Sequence, residues 1–81
     1  MNLKVIKLIE NYNKLKAVLD KKKSSIKELR ESLPAEESAM LRSIQEFRNE
    51  FAFSSKGVEA PDDEVLREWN AFIKTLLAKN V

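Results

Sequence analysis

Residues 5–33 read VIKLIENYNKLKAVLDKKKSSIKELRESL, and this stretch decides the fold. Its apolar residues recur at alternating spacings of three and four, which are the a and d positions of a heptad. Eight of these nine positions are apolar, and Lys22 is the exception. The nine are Val5, Leu8, Tyr12, Leu15, Leu19, Lys22, Ile26, Leu29 and Leu33. The pattern predicts a helix over residues 2–33 that presents one apolar seam to another helix.

A lysine–serine run at residues 21–25 leaves two interpretations of this segment open. A continuous helix over 2–33 would be about 48 Å long at ~1.5 Å per residue. Alternatively, the helix breaks near residue 24, because Ser25 and Glu28 match a capping box that would start a new helix at Ile26. The heptad register is the same on both sides of the run, and this favours the continuous helix.

Two further helices are predicted after Pro34, which favours a helix start and disfavours helix before it. They cover residues 34–53 and 62–79, and each carries an apolar stripe at helical spacing. Between them, residues 54–61 form a predicted loop that contains Gly57, the single glycine of the chain, and ends at Pro61.

The predicted fold is all-α, in a single domain over residues 1–81. We expect a helical hairpin or three-helix bundle with a long, heptad-patterned N-terminal helix. A continuous first helix would exceed the roughly 30 Å and 27 Å lengths of its two partners, leaving about a third of the seam uncovered. Self-association or a partner helix would then cover the excess. A break near residue 24 would instead permit a compact monomer.

The composition argues against catalysis. The chain has no histidine and no cysteine, so the most common general base, the thiol nucleophile and the usual zinc ligands are all missing. One glycine does not make a glycine-rich phosphate loop. The acids at 36–37 and 62–64 follow prolines at predicted helix starts, where the helix dipole explains them. We therefore expect no enzyme, no catalytic residue, no cofactor and no metal.

Basic residues are concentrated in the first part of the chain. The net charge is +2, yet residues 1–33 hold nine Lys or Arg against four Asp or Glu. Lys7, Lys14 and Lys21 lie seven apart and would form one exposed stripe suited to phosphate contact. Interspersed acids and sparse arginine make nucleic-acid binding the weaker hypothesis. Residues 3–9 would suit a membrane surface, but a core role explains them more simply, and we do not expect membrane binding.

The seam supplies most of the candidate protein-contact residues. Lys22 either sets register within the seam or lies solvated at a helix end. Phe53 lies off the main stripe of its helix, next to the loop, and is a candidate hot spot. The full set is Val5, Leu8, Tyr12, Leu15, Leu19, Lys22, Ile26, Leu29 and Phe53.

These features indicate a small, non-catalytic interaction or regulatory protein that acts through helix–helix contacts with itself or with a protein partner. We expect a cytoplasmic location, since residues 1–12 lack the uninterrupted apolar core of a secretory signal. In its size, high lysine content, lack of cysteine and helix-only pattern, the chain resembles the small cytoplasmic accessory proteins of tailed phages. The lysis-inhibition regulators of T-even-type phages are one example. The resemblance implies a regulator that binds a host or phage protein, and it carries over no residue role.

Overall fold

The computed structural model describes residues 3–53 and 59–80. This part of the chain forms four helices and no strand. The helices are α1 (Leu3–Lys21), α2 (Ile26–Ser32), α3 (Ala35–Phe53) and α4 (Asp63–Asn80). The predicted all-α class is confirmed. The first segment breaks between Lys21 and Ile26, as in the alternative with a break near residue 24, so the described bundle has four helices.

The prediction of a continuous helix over 2–33 is wrong, because a well-formed C-terminal cap ends α1. Lys23 has a positive φ of 59°, the left-handed conformation that closes many helices. The backbone N–H of Ser24 donates to the Leu19 carbonyl at 2.9 Å, and that of Lys23 donates to the Asp20 carbonyl at 3.0 Å. These two bonds form a Schellman motif, which satisfies carbonyls that a helix end leaves unpaired.

A second cap starts α2 immediately afterwards. Ser25 is extended, with φ −140° and ψ 164°, and its hydroxyl accepts from the Glu28 backbone N–H at 3.2 Å. This is one half of the predicted capping box. The other half of a capping box would be a bond from the Ser25 backbone N–H to the Glu28 carboxylate. Here that carboxylate accepts instead from the Ser24 hydroxyl, at 3.5 Å. The capped helix α2 has seven residues.

The ends of α3 and α4 fall within one residue of the predicted positions. The Pro34 carbonyl accepts from the Ser38 N–H at 2.8 Å, and the Asp62 carbonyl accepts from the Leu66 N–H at 2.9 Å. Each helix thus begins directly after the residue that accepts its first backbone bond. Most of the predicted loop, including Gly57, lies outside the described residues.

One apolar core contains residues from all four helices. α1 packs most extensively against α4, and α2 packs against α3. The described part of the chain measures 33 Å in its longest dimension, too short for a 48 Å helix. The buried core residues are Val5, Leu8, Tyr12, Leu15, Leu19, Ile26, Leu41, Ile44, Phe47, Leu66, Ile73 and Leu76.

Candidate protein-binding surface

Most of the predicted contact residues lie inside the protein. Six of the nine are buried in the core, so they form no exposed seam in this fold: Val5, Leu8, Tyr12, Leu15, Leu19 and Ile26. Leu29 is half-buried against the same core. The five in α1 lie in the helix that packs against α4, and the break after α1 lets α2 fold onto α3, which places Ile26 and Leu29 against the core.

The two remaining candidates are exposed. Lys22 lies in the turn between α1 and α2, so it is solvated at a helix end and does not occupy a buried seam position. Phe53, the last residue of α3, is 92% exposed. A phenylalanine this exposed is unusual beside a core that buries the other large apolar residues of α3 wholly or in part. Phe53 is therefore the only sequence candidate that offers an apolar side chain to a partner.

The N-terminal parts of α1 and α4 lie side by side. The side-chain amide of Asn70 donates to the Lys4 carbonyl at 3.1 Å and to the Leu66 carbonyl at 2.9 Å. The Lys4 ammonium also approaches the Asp63 carboxylate at 3.1 Å. These contacts join the first turn of α1 to the first half of α4, and they fix the walls of a cleft between the two helices.

This cleft, here called the basic cleft, has a volume of about 430 Å³. Such a volume falls in the range of roughly 300–1,000 Å³ seen for binding clefts in proteins. Leu3, which is 74% exposed, and Ala71 supply apolar surface, to which the lysine stems add. The lining residues are Leu3, Lys4, Lys7, Arg67, Asn70, Ala71 and Lys74.

Four of these lining residues are cationic. Lys4 is paired with Asp63, but Lys7, Arg67 and Lys74 form no ion pair within residues 3–53 and 59–80. The four cations exceed the chain's net charge of +2, so all the other residues together carry a net charge of −2. The basic cleft is therefore a local positive surface on a protein that is otherwise slightly acidic.

The outer face of α3 has the opposite character. Glu46, Glu50 and Phe53 are spaced at i, i+4 and i+7, so they share one face of the helix, and all three are exposed. Glu46 is paired with Arg42 at 3.3 Å. Glu50 makes no ion pair in the described part of the chain. We call this surface the acidic face.

A second, smaller cleft of about 330 Å³ lies among α1, α2 and α3. The Arg48 guanidinium stands over the Tyr12 ring, 5.7 Å from its centroid, and donates to the Asn13 side-chain oxygen at 3.2 Å. Burial raises the pKa of Tyr12, and the positive charges of Arg48 and Arg30 partly oppose that rise. Because Arg48 already bonds Asn13 and stacks on Tyr12, this arrangement holds α3 to α1.

No group of three or more acidic side chains is placed to hold a metal ion within residues 3–53 and 59–80. None of the four helices combines the length and the apolarity needed to cross a bilayer. Neither protein-family models, nor curated proteins, nor solved structures gave a match to this chain.

Proposed function

We propose that this chain is a small, non-catalytic protein that binds a protein partner through the basic cleft between α1 and α4. The observation that carries the proposal is the composition of the cleft, in which exposed apolar surface is ringed by four cations, and three of them, Lys7, Arg67 and Lys74, form no ion pair in the described chain. Helices of protein partners dock in grooves of this kind, with apolar anchors in the groove and charges at its rim. The missing histidine and cysteine support a non-catalytic role.

The expected mode of binding is still helix–helix contact, but it uses the basic cleft and not the heptad seam. The heptad seam is used within the protein, whereas the basic cleft is open. Charge complementarity favours a partner segment that is acidic and carries at least one large apolar side chain. In its narrower form, which follows the resemblance to phage accessory proteins, the chain is a cytoplasmic regulator of a host or phage protein.

A photo-cross-linking amino acid placed at Ala71 tests this proposal in cells that produce the protein. Ala71 is exposed and lines the basic cleft, so the probe should yield a discrete cross-linked protein. Ala17 is the matched control, because it is also an exposed helical alanine but lies outside the cleft. Equal adducts at both positions, or none at either, would contradict the proposal.

Nucleic-acid binding is the second candidate function, and the four clustered cations favour it. A titration with labelled oligonucleotides over a salt series distinguishes the two candidates. Phosphate binding weakens steeply as the salt concentration rises, while apolar helix packing does not. Under the leading proposal we expect no oligonucleotide binding at about 0.15 M salt. Tight binding there, abolished by Lys7→Glu, would favour the nucleic-acid function.

A further inference from the structure

We propose that a second copy of this chain occupies the basic cleft, and that it docks through its acidic face. This inference rests on the proposed function and names the partner. The acidic face of one copy would place the Phe53 ring against Leu3 and Ala71 of the other copy. Glu46 and Glu50 would then approach the cations of that cleft.

The two surfaces complement each other in charge and in polarity. The basic cleft holds Lys7, Arg67 and Lys74 without ion pairs among the described residues, and the acidic face holds Glu50 in the same condition. The cleft has exposed apolar surface without a large side chain to fill it, and Phe53 is a large side chain without a pocket. Aromatic side chains that enter such pockets are the usual anchors of protein interfaces.

The proposed contact joins two copies, because it does not form within one. Phe53 is 92% exposed in the single chain, so its ring does not enter the cleft of its own chain. The spacing of Glu46, Glu50 and Phe53 along one helical face also matches the way a helix lies in a groove, with contacts at i, i+4 and i+7. Reciprocal docking closes a dimer, and one-way docking builds longer chains.

Sedimentation equilibrium over a concentration series of about 10 μM to 1 mM, at low salt, tests the self-docking. We expect reversible association that weakens as salt is added, because ion pairs at the rim are screened. Phe53→Ser should weaken the association by about tenfold or more, since it removes the apolar anchor. Lys74→Glu and Glu50→Lys should each weaken it by about tenfold, because each places like charges opposite one another.

The double variant Lys74→Glu/Glu50→Lys provides the decisive comparison. In this variant the cleft carries a glutamate at position 74 and the acidic face carries a lysine at position 50, so opposite charges again face each other. Its self-association should therefore be stronger than that of either single variant. Lys14→Glu is the control, since this exposed lysine of α1 lies outside the cleft and its reversal should leave association unchanged. All these positions are exposed, so circular dichroism should show the native helix content in each variant.

Three outcomes overturn the self-docking. They are a monomer at every concentration, association that survives Phe53→Ser unchanged, and a double variant that associates no better than the single variants. A monomer that still cross-links a foreign protein through position 71 would retain the proposed function and remove the second copy as occupant. A monomer that binds only oligonucleotides or anionic vesicles would remove both.

Discussion

Lys23 has a backbone conformation that lysine normally avoids, and Tyr12 buries an ionisable side chain in the core. Lys23 occupies the left-handed backbone region, where glycine is the usual residue because it has no Cβ to clash with the neighbouring carbonyl. Tyr12 is 2% exposed and is the only tyrosine of the chain. Both residues have consequences for stability that can be measured separately.

Replacing Lys23 with glycine should stabilise the protein. Glycine relieves the left-handed strain of about 1–2 kcal/mol but loses more backbone entropy on folding, so we expect a net gain of about 0.5–1 kcal/mol. Urea unfolding followed by circular dichroism measures this change. Lys27→Gly is the control, because it places glycine in the first turn of α2, where φ is negative and glycine should cost up to about 1 kcal/mol. Destabilisation by both variants would show that Lys23 is not strained.

Tyr12 should make the protein less stable in alkali. Burial raises the Tyr12 pKa above its ordinary value of 10.0, so the folded state keeps the phenol proton while the unfolded state releases it. The contribution is fully present below about pH 10 and is lost as the pH rises through the folded pKa.

The measurement compares urea unfolding of the parent protein and Tyr12→Phe at about pH 8 and about pH 11. Lysine deprotonation affects both proteins, so the difference between their pH dependences reports Tyr12. We expect the smaller alkaline loss in Tyr12→Phe. The ultraviolet absorbance of tyrosinate reports the pKa directly, and ionisation at the ordinary pKa in the folded protein would refute the prediction.

At the scale of the element, the turn between α1 and α2 shows what apolar periodicity reports. Leu19 and Ile26 lie seven residues apart on opposite sides of the turn, and both are buried in the same core. The heptad register therefore survives a break, because it records which residues face the core and not whether the helix is continuous. The Ser25–Glu28 capping box correctly predicted the start of α2. The end of α1 was harder to predict, because position 23 holds lysine where glycine usually ends a helix.

Ser25→Ala tests the importance of this cap. The variant removes the acceptor for the Glu28 N–H and should destabilise the protein by about 1 kcal/mol. Thermal or urea unfolding measures the effect. Ser43→Ala is the matched control, because Ser43 is exposed in the interior of α3, where alanine is neutral or slightly favourable. Equal stability in both variants would mean that α2 is held by packing alone.

At the scale of the whole molecule, sequence patterns predicted the faces that form the core but not the basic cleft. The stripes of α3 and α4 supply Ile44, Phe47 and Ile73 to the core, as their helical spacing indicates. The cleft depends on Lys7 and Lys74 lying on neighbouring helices, and no local spacing records that proximity. Phe53 could be found, because it departs from the stripe of its own helix.

Substitutions of two leucines of α1 test whether the heptad seam is buried within the protein or exposed as an interface. Leu15 is fully buried, so Leu15→Ala should cost about 2–5 kcal/mol of unfolding free energy. Leu3 is 74% exposed, and Leu3→Ala should change stability by less than about 0.5 kcal/mol. Urea unfolding at low protein concentration measures both. If Leu15→Ala instead left a stable monomer and only lowered the oligomer mass, Leu15 would be an interface residue.

The packing of α1 against α4 joins the first and the fourth of the described helices. During synthesis on a ribosome, α1 therefore emerges well before the helix that covers it. Its apolar residues stay open to water, or to chaperones, until residues 63–80 leave the exit tunnel, because domains fold as units. A nascent chain stopped before α4 would expose Val5, Leu8 and their neighbours, so α1 reaches its native packing only once residues 63–80 have left the exit tunnel.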